Sequence, residues 1–186
     1  MTDQQEKRLA IIPALIEHSP NKRIGRTALM KSMYFLQILR GVPLGYRFSL
    51  YSYGPFDSGV LADLSVAESL GAVNSETVFY PGGYGYDISL GDKSKWLKNR
   101  ADDFVKAYEK DTRWVMQNFG NFTSAQLELL STIIYVDREA AEKGKKVSMQ
   151  SLARQVHEIK PHFGEPEILD FAGKLLNQKL LQATAA

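Results

Sequence analysis

The 186-residue sequence contains no cysteine, which excludes disulfides, thiolate metal sites and thiol nucleophiles together. Histidine is nearly as scarce: only His18, His157 and His162 are present. His157 and His162 straddle a proline turn, unlike the i, i+4 pair on one helix face that zinc enzymes use, and no motif fixes an acidic ligand beside them. No apolar run approaches the ~20 residues of a membrane span. The opening MTDQQEKRLA is polar where a secretory signal needs an apolar core. A cytoplasmic protein with no membrane partner is the expectation.

Acidic residues are missing from one long stretch. Between Glu17 and Asp57 there is none, while Lys22, Arg23, Arg26, Lys31, Arg40 and Arg47 all occur. The net charge is only +2, and proteins that bind nucleic acid through phosphates usually carry a larger, more clustered basic excess. A solvated helix end and loop explains the asymmetry equally well. Known catalytic patterns are also missing. Pro81-Gly82-Gly83-Tyr84-Gly85 is glycine-rich but lacks the Lys-Ser/Thr of a phosphate-binding loop and precedes a strand. Asp102 and Asp103 are neighbours on a helix and point apart, a poor acid–base pair. No catalytic residue, metal ligand or cofactor is predicted, so the chain reads as a non-enzyme.

What is present is a series of amphipathic elements. A helix is predicted from about Gln4 to His18, kinked or restarted at Pro13. A second, nearly all-apolar helix runs from Arg26 to Leu39 with Gly41 as its cap. Alternation predicts a strand over Arg47–Ser52, broken by Tyr53-Gly54-Pro55. A third helix covers Phe56–Leu70. Strands follow at Val73–Tyr80 and Tyr86–Leu90, with a glycine tip between them and Phe79 alternating inward. Trp96 to Phe119 reads as one long amphipathic helix, and another starts at Thr123 or Ser124. Asp137–Lys146 reads as a solvated connector and Ser148 as the cap of a short helix. Pro166 opens the last helix, which runs to about Gln178, and residues 182–186 read as a frayed tail. The fold class predicted is mainly α with a small β-hairpin or sheet. It comprises a winged-helix-like N-terminal domain (residues 1–92) and a helical C-terminal region (residues 93–186).

Three segments together carry a likeness: Gly25-Arg26-Thr27-Ala28-Leu29-Met30-Lys31 with Tyr34-Phe35-Leu36-Gln37, then Tyr53-Gly54-Pro55-Phe56-Asp57, then Asp63-Leu64 with Leu70-Gly71. They resemble the YwgA-like group of bacterial proteins and, more distantly, the Panacea antitoxin domain and the SocA proteolytic adaptor. The resemblance covers roughly residues 22–73. It implies no catalysis and a role in binding another protein, such as a toxin, a protease or a phage-defence component.

Two binding readings follow from the residues. A winged helix that reads DNA inserts one helix into the major groove. The candidate helix here carries Asp57, Asp63 and Glu68 and no cation, which opposes phosphate contact. The last helix opens with Glu165, Glu167 and Asp170, no better suited to bases, though acids at a helix start also suit the macrodipole. Nucleic acid would therefore have to use the basic stretch 22–47, with Lys22, Arg23, Arg26 and Lys31 on phosphates and tyrosines stacking on bases. A protein partner would instead meet Tyr80, Tyr84 and Tyr86 around the glycine tip, with Tyr53, because tyrosine and arginine dominate interfaces. That partner, or a second copy of the chain, is the favoured expectation.

Overall fold

Thr2 begins the first helix: its hydroxyl accepts a hydrogen bond from the Gln5 amide at 3.2 Å, and Asp3 and Glu6 place negative charge in the first turn. In the computed structural model, which describes residues 1–184, this helix (α1, Asp3–His18) runs unbroken through Pro13. The helix does not restart at Pro13, and Leu9 through Ile16 are all buried. Packing on every side outweighs the hydrogen bond that proline removes.

A 3-10 turn at Pro20–Lys22 leads to a two-residue strand (β1, Arg23–Ile24) that the sequence pattern does not announce. The next helix (α2, Arg26–Arg40) ends at Gly41, whose φ of +66° and amide bond to the Leu36 carbonyl make the predicted cap. Two short strands (β2, Ser49–Tyr51; β3, Gly54–Phe56) pair around the Tyr-Gly-Pro turn. The Asp57 carboxylate then accepts from the Gly59 amide at 2.7 Å and starts a helix (α3, Ser58–Ser69). The hairpin that follows (β4, Val73–Tyr80; β5, Gly83–Leu90) joins β1 in an antiparallel sheet of order β1-β5-β4. The coarse prediction of a mainly helical chain with a small antiparallel sheet describes this architecture.

The chain forms two compact units, one of Met1–Ser49 with Phe56–Ser124, the other of Leu50–Pro55 with the described residues from Ala125 onward. The division expected after residue 92 is not where the units part. Trp96–Phe119 is three helices (α4, Ser94–Asn99; α5, Asp102–Ala107; α6, Glu109–Phe119) rather than one. All three pack against α1 and so belong to the first unit. The breaks let three short helices each reach α1.

A buried carboxylate organises the first unit. Asp63 of α3 accepts from the Tyr46 hydroxyl at 2.9 Å and lies 2.7 Å from Arg8 Nε of α1. Gln37 of α2 holds the Tyr46 peptide from both sides, at 2.8 and 2.9 Å. Burial, then the adjacent Asp63 charge, pushes the Tyr46 phenol far above its usual range.

The second unit holds the remaining helices (α7, Ser124–Glu142; α8, Met149–Ile159; α9, Glu165–Asn177). The sequence predicts a solvated connector from Asp137. Instead α7 continues to Glu142, and Asp137 is buried, accepting from the amides of Gln182 at 3.0 Å and Ala183 at 2.8 Å. That carboxylate also corrects the expectation of a frayed end. Leu181 and Ala183 are buried, and Thr184 forms a parallel bridge with Ser148. Ala185 and Ala186, also within that expectation, lie outside the described residues. Among the described residues no helix is long and apolar enough to cross a membrane.

The Tyr46 environment sets a pH dependence. A folded-state value raised above the unfolded one contributes stability that is fully present below about pH 10 and declines above it, as the unfolded tyrosine releases its proton first. Melting temperatures from pH 9 to 11 should fall more steeply for the wild type than for Tyr46→Phe; parallel curves would contradict this. A second prediction concerns Lys179, which follows α9 with φ +59°, a conformation suited to glycine. Lys179→Gly should raise stability in urea by about 0.5–1 kcal/mol.

Candidate partner-binding surface

The hairpin turns tightly: Tyr80 pairs with Gly83, leaving Pro81-Gly82 as the corner, with Gly82 at φ +96°. Proline followed by a positive-φ glycine suits a type II turn. β5 therefore starts at Gly83 instead of Tyr86, and both strands extend to the tip. Residues directly opposite one another share a sheet face. Val73, Ser75, Thr77 and Phe79 on β4 thus share a face with Leu90, Ile88, Tyr86 and Tyr84 on β5.

At the base this face is core, with Val73 and Ile88 buried. At the tip the same face runs past the helices into solvent. Phe79 is 82% exposed and Tyr84 60%, so the inward Phe79 of the sequence prediction is corrected. Its alternation is as predicted, but the core ends before the strand does. The Phe79 and Tyr84 rings are 6.4 Å apart, and Tyr84 meets Tyr86 edge-on at 5.9 Å. Tyr80 lies on the opposite face. Its hydroxyl donates to the Tyr84 carbonyl at 2.9 Å and its ring covers Gly85, so it shields a glycine backbone.

The basic stretch is largely turned to internal use. Arg23 Nη1 donates to Asp87 at 2.5 Å, with Glu76 at 3.8 Å, and the Asp87 hydrogen bond raises the Arg23 pKa. The Arg26 guanidinium lies 3.4 Å above the centre of the Tyr86 ring. Lys31 is buried. Arg40 reaches Asp111 at 2.7 Å and lies over Trp114. Lys22 is exposed, at φ +54°. The named phosphate-binding set is thus split: two arginines hold the wing, one lysine is inside, and one lysine stands at the surface.

Tyr53 belongs to the second unit, where it is 73% exposed. Its turn is anchored from below. Lys160 is buried, lies 2.7 Å from Glu128 and donates to the Ser52 carbonyl. His162 Nε2 stands 3.5 Å from the same Glu128 oxygen. Gly54 at φ +82° sits where a Cβ would come within 3.0 Å of Ser131 Oγ and Thr132 Oγ1. The glycine of the Tyr-Gly-Pro turn is needed for both angle and space.

The first unit also has a surface cavity of about 450 Å³ lined by ion-paired groups, including Lys98 with Glu17 and Lys106 with Asp102. His18 lines it too, its pKa lowered by burial and then by Arg113. Among the described residues no three His, Asp or Glu side chains are grouped to hold a metal. Compared with known proteins, the chain matches no protein-family model and no curated protein.

Phe79 and Val78 are the surface residues that sequence reasoning missed. The usable signal is the Pro-Gly dipeptide, which fixes a two-residue turn and extends β5 back to it. The buried Lys160–Glu128 pair makes a separate prediction. Lys160→Met should cost about 3–5 kcal/mol by stranding the Glu128 charge, and adding Glu128→Leu should recover much of that. Urea denaturation of both variants checks it.

Proposed function

We propose that this chain is a non-enzymatic protein-binding adaptor or antitoxin-like protein, built on a winged-helix-like unit whose wing carries the contact surface. The winged-helix reading is supported by chain order. Three helices precede the hairpin, and the strand after α1 pairs with the returning strand of the wing, β1-β5-β4. The single observation that carries the function is the aromatic face at the wing tip. Phe79 and Tyr84 share one face beyond the body, in a hairpin whose fold does not require their burial, with Tyr86 half-buried on the same face beside them. Apolar rings gathered in solvent favour a covering partner, and large rings with few rotamers lose little entropy when covered. Arg26 stacked on Tyr86 gives the patch a polar rim.

A DNA-binding regulator is the rival. It is disfavoured by α3, which carries no lysine or arginine, and by the internal pairing of Arg23 and the burial of Lys31. Cationic contacts supply most of the affinity for DNA.

The test pairs two measurements. Phe79→Ser with Tyr84→Ser should abolish capture of a specific protein from lysate of the source organism while changing stability by no more than roughly 0.5 kcal/mol per site. Labelled duplex and single-stranded DNA should show no binding that steepens as salt is lowered. Tight, salt-sensitive DNA binding lost in Lys22→Ala/Arg23→Ala would reverse the assignment.

A further inference from the structure

The sheet of the first unit ends on β4, so one side of Val73–Tyr80 presents the unpaired amides and carbonyls of an edge. Natural edges are guarded by lysine, proline, a bulge or a covering element. β4 has little of this. Its register with β5 is unbroken from Val73 to Tyr80, Pro81 comes only after the last pair, and its one charge is Glu76. Near the base Ser75 donates to Glu68 of α3, but Glu76 through Tyr80 are all exposed.

We propose that this edge pairs antiparallel with β4 of a second copy, about a twofold axis at Val78, joining the two sheets into one of six strands. The occupant is a second copy because the strand is self-complementary in one register. With the axis at Val78, Thr77 faces Phe79 of the partner copy, Val78 faces Val78, and Glu76 faces Tyr80. The two Glu76 carboxylates are then four residues apart along the strands, on the order of 13 Å, beyond the screening length at physiological salt. Moving the axis to Thr77 brings them onto one diagonal at roughly 7–8 Å, where like charges oppose pairing. Moving it to Phe79 places Pro81, which has no amide hydrogen, opposite Thr77 and shortens the ladder.

Area sets the strength. Phe79 and Tyr80, 82% and 55% exposed, offer roughly 300 Å² per copy. A standard stable interface uses about 800 Å² per partner. The dimer is therefore weak and concentration-dependent. It doubles the aromatic face of the wing, since Phe79, Tyr84 and Tyr86 of both copies lie on the same side of the joined sheet. This association needs only a second copy of the chain and no foreign partner.

Sedimentation velocity of the full chain from about 5 to 500 µM tests it. The mass should rise from 20.9 kDa toward twice that value. Val78→Lys, which sets two ammonium groups face to face, should remain monomeric with an unchanged circular dichroism spectrum. The chain lacks cysteine, so Val78→Cys should oxidise to a covalent dimer, and Glu76→Cys should do so at least several-fold less. A chain that stays monomeric to 500 µM overturns the proposal. So does a dimer that survives Val78→Lys, or equal cross-linking at positions 76 and 78. Capture of a foreign partner by the Val78→Lys monomer is read separately, so the two readings can fail independently.

Discussion

Removing one carboxylate from water sets the terms for much of the first unit. Asp63 is buried on α3, and a carboxylate taken out of water calls for both a counter-charge and a hydrogen-bond donor. Arg8 supplies the first from α1, and Tyr46 the second from the segment after α2. Neither group can reach Asp63 unless α1, α2 and α3 are already placed. Gln37 then fixes the Tyr46 backbone. Apolar packing alone would tolerate small rotations of these helices; a buried ion pair with a shared hydroxyl tolerates far fewer. The sheet depends on the same arrangement, since α1, α2 and α3 all contact its strands.

The wing follows a different logic. Its base is core and its tip is not, although the strand pattern is continuous. Two arginines from the start of α2 and the strand before it tie it down, Arg23 to Asp87 and Arg26 over Tyr86. Cations that a nucleic-acid reader would leave free are here engaged with the hairpin. At the tip, what remains exposed is mainly aromatic, Phe79, Tyr80 and Tyr84.

Secondary structure was legible wherever caps and periodicity agreed, as at Gly41 and Ser148, whose roles are as the sequence predicts. It was least legible where burial overrode local preference. Pro13 does not break α1, because its surroundings are apolar throughout. Asp137 looks solvated in a mixed-charge run, yet it is buried by a tail that returns from 45 residues away. Trp96–Phe119 is divided into three helices that all pack on α1, a tertiary arrangement that periodicity does not carry. At the candidate surface the tyrosines were visible as residue types. Their division into Tyr84 and Tyr86 on one face and Tyr80 on the other was not, because it depends on a two-residue turn that shifts the start of β5 by three positions. Lys31 reads as a surface cation by composition, and only packing shows it inside.

The Tyr51–Ser52 turn has a history as well as a place. Its carbonyls are held by Lys160, 108 residues later for Ser52. On a ribosome adding 5–20 residues per second, that interval lasts roughly 5–20 seconds. Throughout it the ammonium group that will hold those carbonyls has not yet been made. Vectorial synthesis thus leaves a defined window in which the nascent chain shows a tyrosine-rich loop that the finished protein holds fast.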